Sequence, residues 1–184
     1  MFNKKFMDVK QKGTNDDKIE AAKKFATEKF EEAGKKNHFL DVFQILRDEF
    51  HIEDQDVLIA GLLHDTLEDT STTYEEIEGV FSKQIADLVQ EVSHPKDYNH
   101  EQKLEYYEKI KTISPGAKFI KMADFTSHLR SFTKIYERKE QHLYPKFVNN
   151  DKYIASIREF LESCEESDGK KVVYELTNKL EVLL

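Results

Sequence analysis

Four residues at the end of one apolar run carry groups that can bind a cation or move a proton. They are His64, Asp65, Glu68 and Asp69, in the stretch Leu58-Ile59-Ala60-Gly61-Leu62-Leu63-His64-Asp65-Thr66-Leu67-Glu68-Asp69-Thr70. If that stretch is one helix, His64 and Glu68 stand one turn apart, and so do Asp65 and Asp69. Burying such groups is costly unless they are paired or coordinate a metal. A His-Asp doublet at the end of a core helix can equally be its solvated tail, so the doublet alone decides nothing. Two further residues share this placement at the edge of an apolar segment. His38 precedes Phe39, Val42, Phe43, Ile45 and Leu46, and Asp124 follows Ala117-Lys118-Phe119-Ile120-Lys121-Met122-Ala123. His38, His64, Asp65 and Asp124 together offer two imidazoles and two carboxylates. That set suits a divalent transition ion, with Mn²⁺ as the first expectation and Fe²⁺, Co²⁺ or Zn²⁺ as the others. Such an ion lowers the pKa of bound water and clamps a phosphoryl oxygen.

The elements that must position these residues read as helices. Thr14 or Asn15 can cap a first helix, with Asp16 and Asp17 in its first turn, apolar positions at Ile19, Ala22, Phe25, Ala26 and Phe30, and Gly34 as its stop. His38 opens a second helix that runs to Phe50. Asp54 can cap the third, which carries the His-Asp doublet and runs on to Thr70. Thr73 and Glu76 have the spacing of a capping box. Ser82 can cap a helix with Ile85, Leu88, Val89 and Val92 on one face, and His94-Pro95 ends it, because proline disfavours helical geometry in the residue before it. Residues 96–100 are irregular and polar. A helix with Leu104, Tyr107 and Ile110 leads to the Ser114-Pro115-Gly116 turn. A long helical period then runs to Tyr136. Two more helices follow Tyr144-Pro145, the second after Ser167-Asp168-Gly169. The residues expected are a single all-α domain over 1–184, with a core of about 18–135 and a helical C-terminal extension over 136–184.

Composition bounds the partners. The chain has 184 residues with 28 Lys+Arg against 36 Asp+Glu, a net charge of −8, which argues against a general nucleic-acid surface. No apolar run approaches the ~18 residues of a membrane span, and the first residues hold no apolar stretch of signal-peptide length. Cys164 is the only cysteine, so no intrachain disulfide can form. A cytoplasmic protein is expected. Lys35, Lys36, Lys118 and Lys121 are candidate phosphate contacts. The apolar faces of the last two helices allow either packing on the domain or a homodimer contact.

The order His38, His64-Asp65, Asp124 resembles the HD-domain metal-dependent phosphohydrolases, and more narrowly the hydrolase domain of the RelA/SpoT-type alarmone enzymes, including their small stand-alone versions. Ala60 to Thr70, Glu75-Glu76-Ile77-Glu78 up to Phe81, Ile85 to Val92 and Ile120-Lys121-Met122-Ala123-Asp124 carry the likeness. The resemblance implies a compact HD-type helical bundle and metal ligation by His38, His64, Asp65 and Asp124. It implies that Glu68 and Asp69 orient or deprotonate the attacking water. It departs where the alarmone branch has Arg after the last Asp and Asn four residues on, because here Phe125 and His128 stand there. The link Gly34-Lys35-Lys36-Asn37 is also shorter than the branch's loop and lacks its Pro-Tyr pair. His128 can replace the Asn as a hydrogen-bond donor to substrate. The leading expectation is hydrolysis of a nucleotide phosphate ester or pyrophosphate. Removal of the 3′-pyrophosphate from (p)ppGpp and a silent scaffold that binds a nucleotide are the alternatives.

Overall fold

The computed structural model describes residues 14–36, 38–95, 98–140, 142 and 150–184. The polar lead-in over 1–13, Lys96, Asp97 and Tyr144-Pro145 lie outside them. Helix α1 (Asn15–Glu32) starts at Thr14, whose hydroxyl accepts from the Asp17 amide while the Asp17 carboxylate accepts from the Thr14 amide. It stops at Gly34, whose φ of +64° is the left-handed conformation that glycine adopts without strain. Helix α2 (Phe39–Gln44) passes without a break into a wider π-type turn over Ile45–Glu49, closed by Phe50 N–H to Ile45 O at 2.9 Å.

The expected third helix is two. Helix α3 (Gln55–Leu63) is capped by Asp54 and is buried from Val57 to Leu63. It ends at His64, and a single turn, α4 (Thr66–Asp69), follows Asp65. The break has its cause in side-chain hydrogen bonds, two of them local and one from a distant residue. Carbonyls that a continuing helix would give to backbone amides are taken by side chains: Gly61 O by His64 Nδ1 at 2.9 Å, Leu63 O by Thr66 Oγ1 at 2.7 Å and His64 O by Ser93 Oγ at 3.2 Å. The chain therefore turns at the doublet.

Helix α5 (Tyr74–Val80) is capped by Thr73, but the box is half made, because Glu76 pairs with Lys29 of α1 at 2.8 Å instead of folding back. Helix α6 (Lys83–Val92) begins at Ser82, α7 (His100–Ile110) at Asn99, and α8 (Pro115–Glu137) at Ser114, with proline in its first turn. Helix α9 (Asn150–Glu162) and helix α10 (Asp168–Leu183), the latter capped by Ser167, complete the described chain.

Helix α3 is the centre, packed by α1, α2, α6 and α8. Its Gly61 allows the closest approach, since a Cβ there would collide with Leu46 Cδ1. Helix α10 lies along α8 through buried Val173, Thr177 and Leu180, and α9 packs on both α10 and α7. The tail thus closes onto the domain. Among the described residues no helix is long and apolar enough to cross a membrane.

Candidate metal centre and cleft

The break after α3 swings His64 and Asp65 towards the middle of α8, and His38, at the mouth of α2, faces them. His38 occupies the N-cap position of α2 but makes no capping bond. Its Nε2 lies 2.9 Å from Asp124 Oδ1. His64 Nε2 is 3.9 Å from the same oxygen and 3.2 Å from Asp65 Oδ2. Three helical elements and one break therefore bring His38, His64, Asp65 and Asp124 together.

His64 is buried, and a carbonyl can only accept, so Nδ1 carries the proton it gives to Gly61 O. That hydrogen bond fixes the ring and turns Nε2 inward. Nε2 is buried with no hydrogen bond of its own, because Asp65 Oδ2 is close enough for charge attraction but not placed to accept. A buried imidazole nitrogen with its far side held by a carbonyl is the arrangement of a metal ligand. Electrostatics agree. Burial works against charge on His64, yet the Asp65 and Asp124 carboxylates overcome it and push its pKa up to about 9. Burial likewise works against charge on Asp124, but Lys121, His128 and the His38 hydrogen bond hold its carboxyl well below the usual range. The two carboxylates thus favour positive charge at His64. The donor set, the orphaned Nε2 and this field all fit a divalent ion. The donors of His38, His64 and Asp65 lie within 4.8 Å of one another.

The other expected residues are placed as follows. Glu68, one turn on in α4, is mostly buried. Burial raises its carboxyl pKa, and the His94 amide, 2.9 Å from Oε1, draws it partly back. Asp69 Oδ1 receives Lys35 Nζ at 3.1 Å at the cleft edge. Lys121 is only 11% exposed, and its ammonium sits 2.7 Å from Asp124 Oδ2. Lys118 donates to Ser163 O at the end of α9. Lys36 is exposed in the link and does not line the cleft. His128 is one turn beyond Asp124, with Nε2 3.5 Å from Asp124 Oδ1. Phe125 packs against Phe160 and Tyr153 of α9, with ring centroids 5.5 and 6.1 Å apart.

A cleft of about 550 Å³ opens over Asp65, Glu68, Asp69 and Asp124. Its far walls are residues that the sequence reading left out. His94 contributes from the end of α6, Lys103, Tyr106 and Tyr107 from α7, and Lys152, Tyr153 and Ser156 from α9. Only His94 carried a local signal, through the proline after it. The rest are ordinary residues on amphipathic helices until the tail docks.

Residues 19–149 match the family described as HD domain. The chain is 43% identical over 99 residues to the mouse protein named guanosine-3′,5′-bis(diphosphate) 3′-pyrophosphohydrolase MESH1, a match covering 53% of this chain and 55% of that one. It is 40% identical over 125 residues to the Xenopus tropicalis protein of the same name, covering 63% of this chain and 69% of that one. The matched stretch thus spans little more than half the length of the mouse relative. A solved structure, described as a metazoan ortholog of SpoT that hydrolyzes ppGpp and plays a role in starvation responses, superposes with a TM-score of 0.73. It is 25% identical in sequence, and the match covers 91% of this chain and 97% of that chain.

Proposed function

The chain belongs to the HD domain family, and from that premise we propose that it is a metal-dependent phosphohydrolase that removes the 3′-pyrophosphate of guanosine 3′,5′-bis(diphosphate). The observation that carries this reading is the convergence of His38, His64, Asp65 and Asp124 under a cleft with Glu68 at its floor. The names of the relatives supply the substrate.

His38, His64, Asp65 and Asp124 would hold the ion, which when bound polarises a phosphoryl oxygen and acidifies water. The chain's own residues do the rest. Glu68 takes a proton from the attacking water. Its raised pKa makes it a stronger base, and His94 holds the carboxylate in place, its amide 2.9 Å from Oε1 and its Nδ1 3.9 Å from Oε2. Asp69, steadied by Lys35, orients the water from the cleft edge. Lys121 keeps Asp124 ionised and aimed. Lys103 and Lys152, exposed residues of the cleft lining, would meet the phosphates, and Tyr107 and Tyr153 the nucleoside. The water oxygen bonds to the phosphorus on the 3′ oxygen, the P–O3′ bond breaks, and one water proton ends on that oxygen. Pyrophosphate and a nucleoside 5′-diphosphate result.

The test is turnover of ppGpp, nucleoside triphosphates, deoxynucleotides and 5′-monophosphates with Mn²⁺ present, beside His64→Ala and Asp124→Ala. Pyrophosphate released from ppGpp and lost in both variants is the expected result. Turnover of another nucleotide but not ppGpp would move the substrate. Bound ppGpp without turnover would make the protein a nucleotide-binding scaffold.

A further inference from the structure

We propose that His128 is a protein donor to the same ion, so that the centre has three imidazoles and two carboxylates. The inference rests on the metal-site reading above and adds a ligand to it. Three Nε2 atoms converge on one oxygen, Asp124 Oδ1: His38 at 2.9 Å, His128 at 3.5 Å and His64 at 3.9 Å. Neighbouring donors bonded to one ion at ~2.1 Å are separated by about 3 Å at right angles and about 3.4 Å at tetrahedral angles. The observed spread brackets those separations.

Two further observations place His128 on the ion side of the cleft. Its ring centroid lies 4.8 Å from that of His38, whose own ring is 5.1 Å from that of His64. The donors of His38, Asp124 and His128 also lie within 4.8 Å of one another, the same closeness found for His38, His64 and Asp65. The two triads share His38, and an ion serving both would have to lie between them, beside Asp124 Oδ1. The helix explains the reach. His128 follows Asp124 by four residues on α8, so both side chains leave the same face one turn apart. His128 lines the cleft with its side chain 43% exposed, and its Nε2 lies 3.5 Å from the carboxylate.

The chemistry changes with the count. A third imidazole makes the donor set softer and more nitrogen-rich, which shifts preference from Mn²⁺ towards Fe²⁺, Co²⁺ or Zn²⁺.

The experiment uses the full chain, wild type and His128→Asn, with His128→Gln as a second replacement and circular dichroism to confirm folding. Zn²⁺ and Mn²⁺ affinities are measured by competition with a chelating dye, and imidazoles are counted by X-ray absorption on the Zn²⁺-loaded protein. The expected result is three imidazoles in wild type and two in the folded variants, with Zn²⁺ binding weakened tenfold or more and Mn²⁺ binding weakened less. Two imidazoles in wild type, or unchanged Zn²⁺ affinity in both variants, overturns the inference and returns His128 to the substrate while leaving the metal centre standing. Folded wild-type protein that binds neither ion overturns the metal centre itself, and this inference with it.

Discussion

Glu68 takes its character from where the chain breaks. Had α3 run on through Thr70, Glu68 would stand one helical turn above His64. The turn at Asp65 instead sets it on the cleft floor, where burial makes its carboxyl more basic and one amide holds it in place. A positioned base of this kind contributes ~10²–10⁴-fold to a proton transfer. Glu68→Gln, which keeps the shape and removes the base, should lower kcat about a hundredfold or more while metal content by elemental analysis stays at the wild-type level. Retained activity within a fewfold would take the proton away from Glu68. At this scale the sequence was legible in a particular way. His38, His64, Asp65 and Asp124 stand at the edges of apolar runs, where ionisable groups are costly to bury unpaired, but it was the resemblance to the HD-domain enzymes that singled them out as a set. Lys121 and Lys118 did not announce theirs. Both were expected on phosphate, and packing gave one to Asp124 and the other to the Ser163 carbonyl.

Between residues and fold, the caps at Thr14, Asp54, Thr73, Ser82 and Ser114 are local hydrogen bonds and could be read from residue type. The break between α3 and α4 could not, because one of its three side-chain donors, Ser93, is remote in sequence. The tight packing of α3 on α2 is equally non-local, and Gly61 is its hinge. Gly61→Ala would gain up to ~1 kcal/mol of helix propensity, but its methyl meets Cδ1 of the fully buried Leu46, which must move within the core to make room. Overpacking costs ~1–3 kcal/mol and outweighs the gain. The variant should unfold at lower denaturant, and adding Leu46→Ala should cost less than the sum of the two single changes. The π-type turn has its own tie, a two-point contact from Arg130 of α8 to Glu49 at 2.7 and 2.6 Å. The Arg130 hydrogen bonds, opposed in part by burial, hold the Glu49 carboxyl below its ordinary value of 4.5. A lowered folded-state pKa means stability that is present above the ordinary value and lost as pH falls through the folded one. Glu49→Gln should therefore lower Tm at pH 7, and the gap to wild type should close as pH drops below about 4.5, as thermal scans across that range would show.

On the scale of the whole molecule, the docked tail decides what the cleft can recognise. The sequence leaves residues 136–184 as two amphipathic helices free to face a partner or the domain. The fold commits α10 to α8 and turns α9 so that Tyr153 meets Phe125 and Phe132, with ring centroids 6.1 and 5.7 Å apart. Phe125 stands where the alarmone branch has Arg, so a charge beside the last ligand has given way to an aromatic anchor for the tail. Phe125 and Tyr153 both line the cleft, so under the proposed function α9 contributes to the wall that meets the substrate. Stacking of one base on an aromatic side chain is worth ~1–3 kcal/mol by alanine substitution, which is roughly tenfold in affinity towards the lower end of that range. If Tyr153 stacks on the nucleoside as proposed, Tyr153→Ala raises KM about tenfold, with kcat and metal content close to wild type. Tyr153→Phe should restore KM, since the stacking face is kept. A fall in kcat with KM unchanged would instead mean that α9 acts through Phe125 on the position of Asp124, and that the tail sets the chemistry and not the choice of nucleotide.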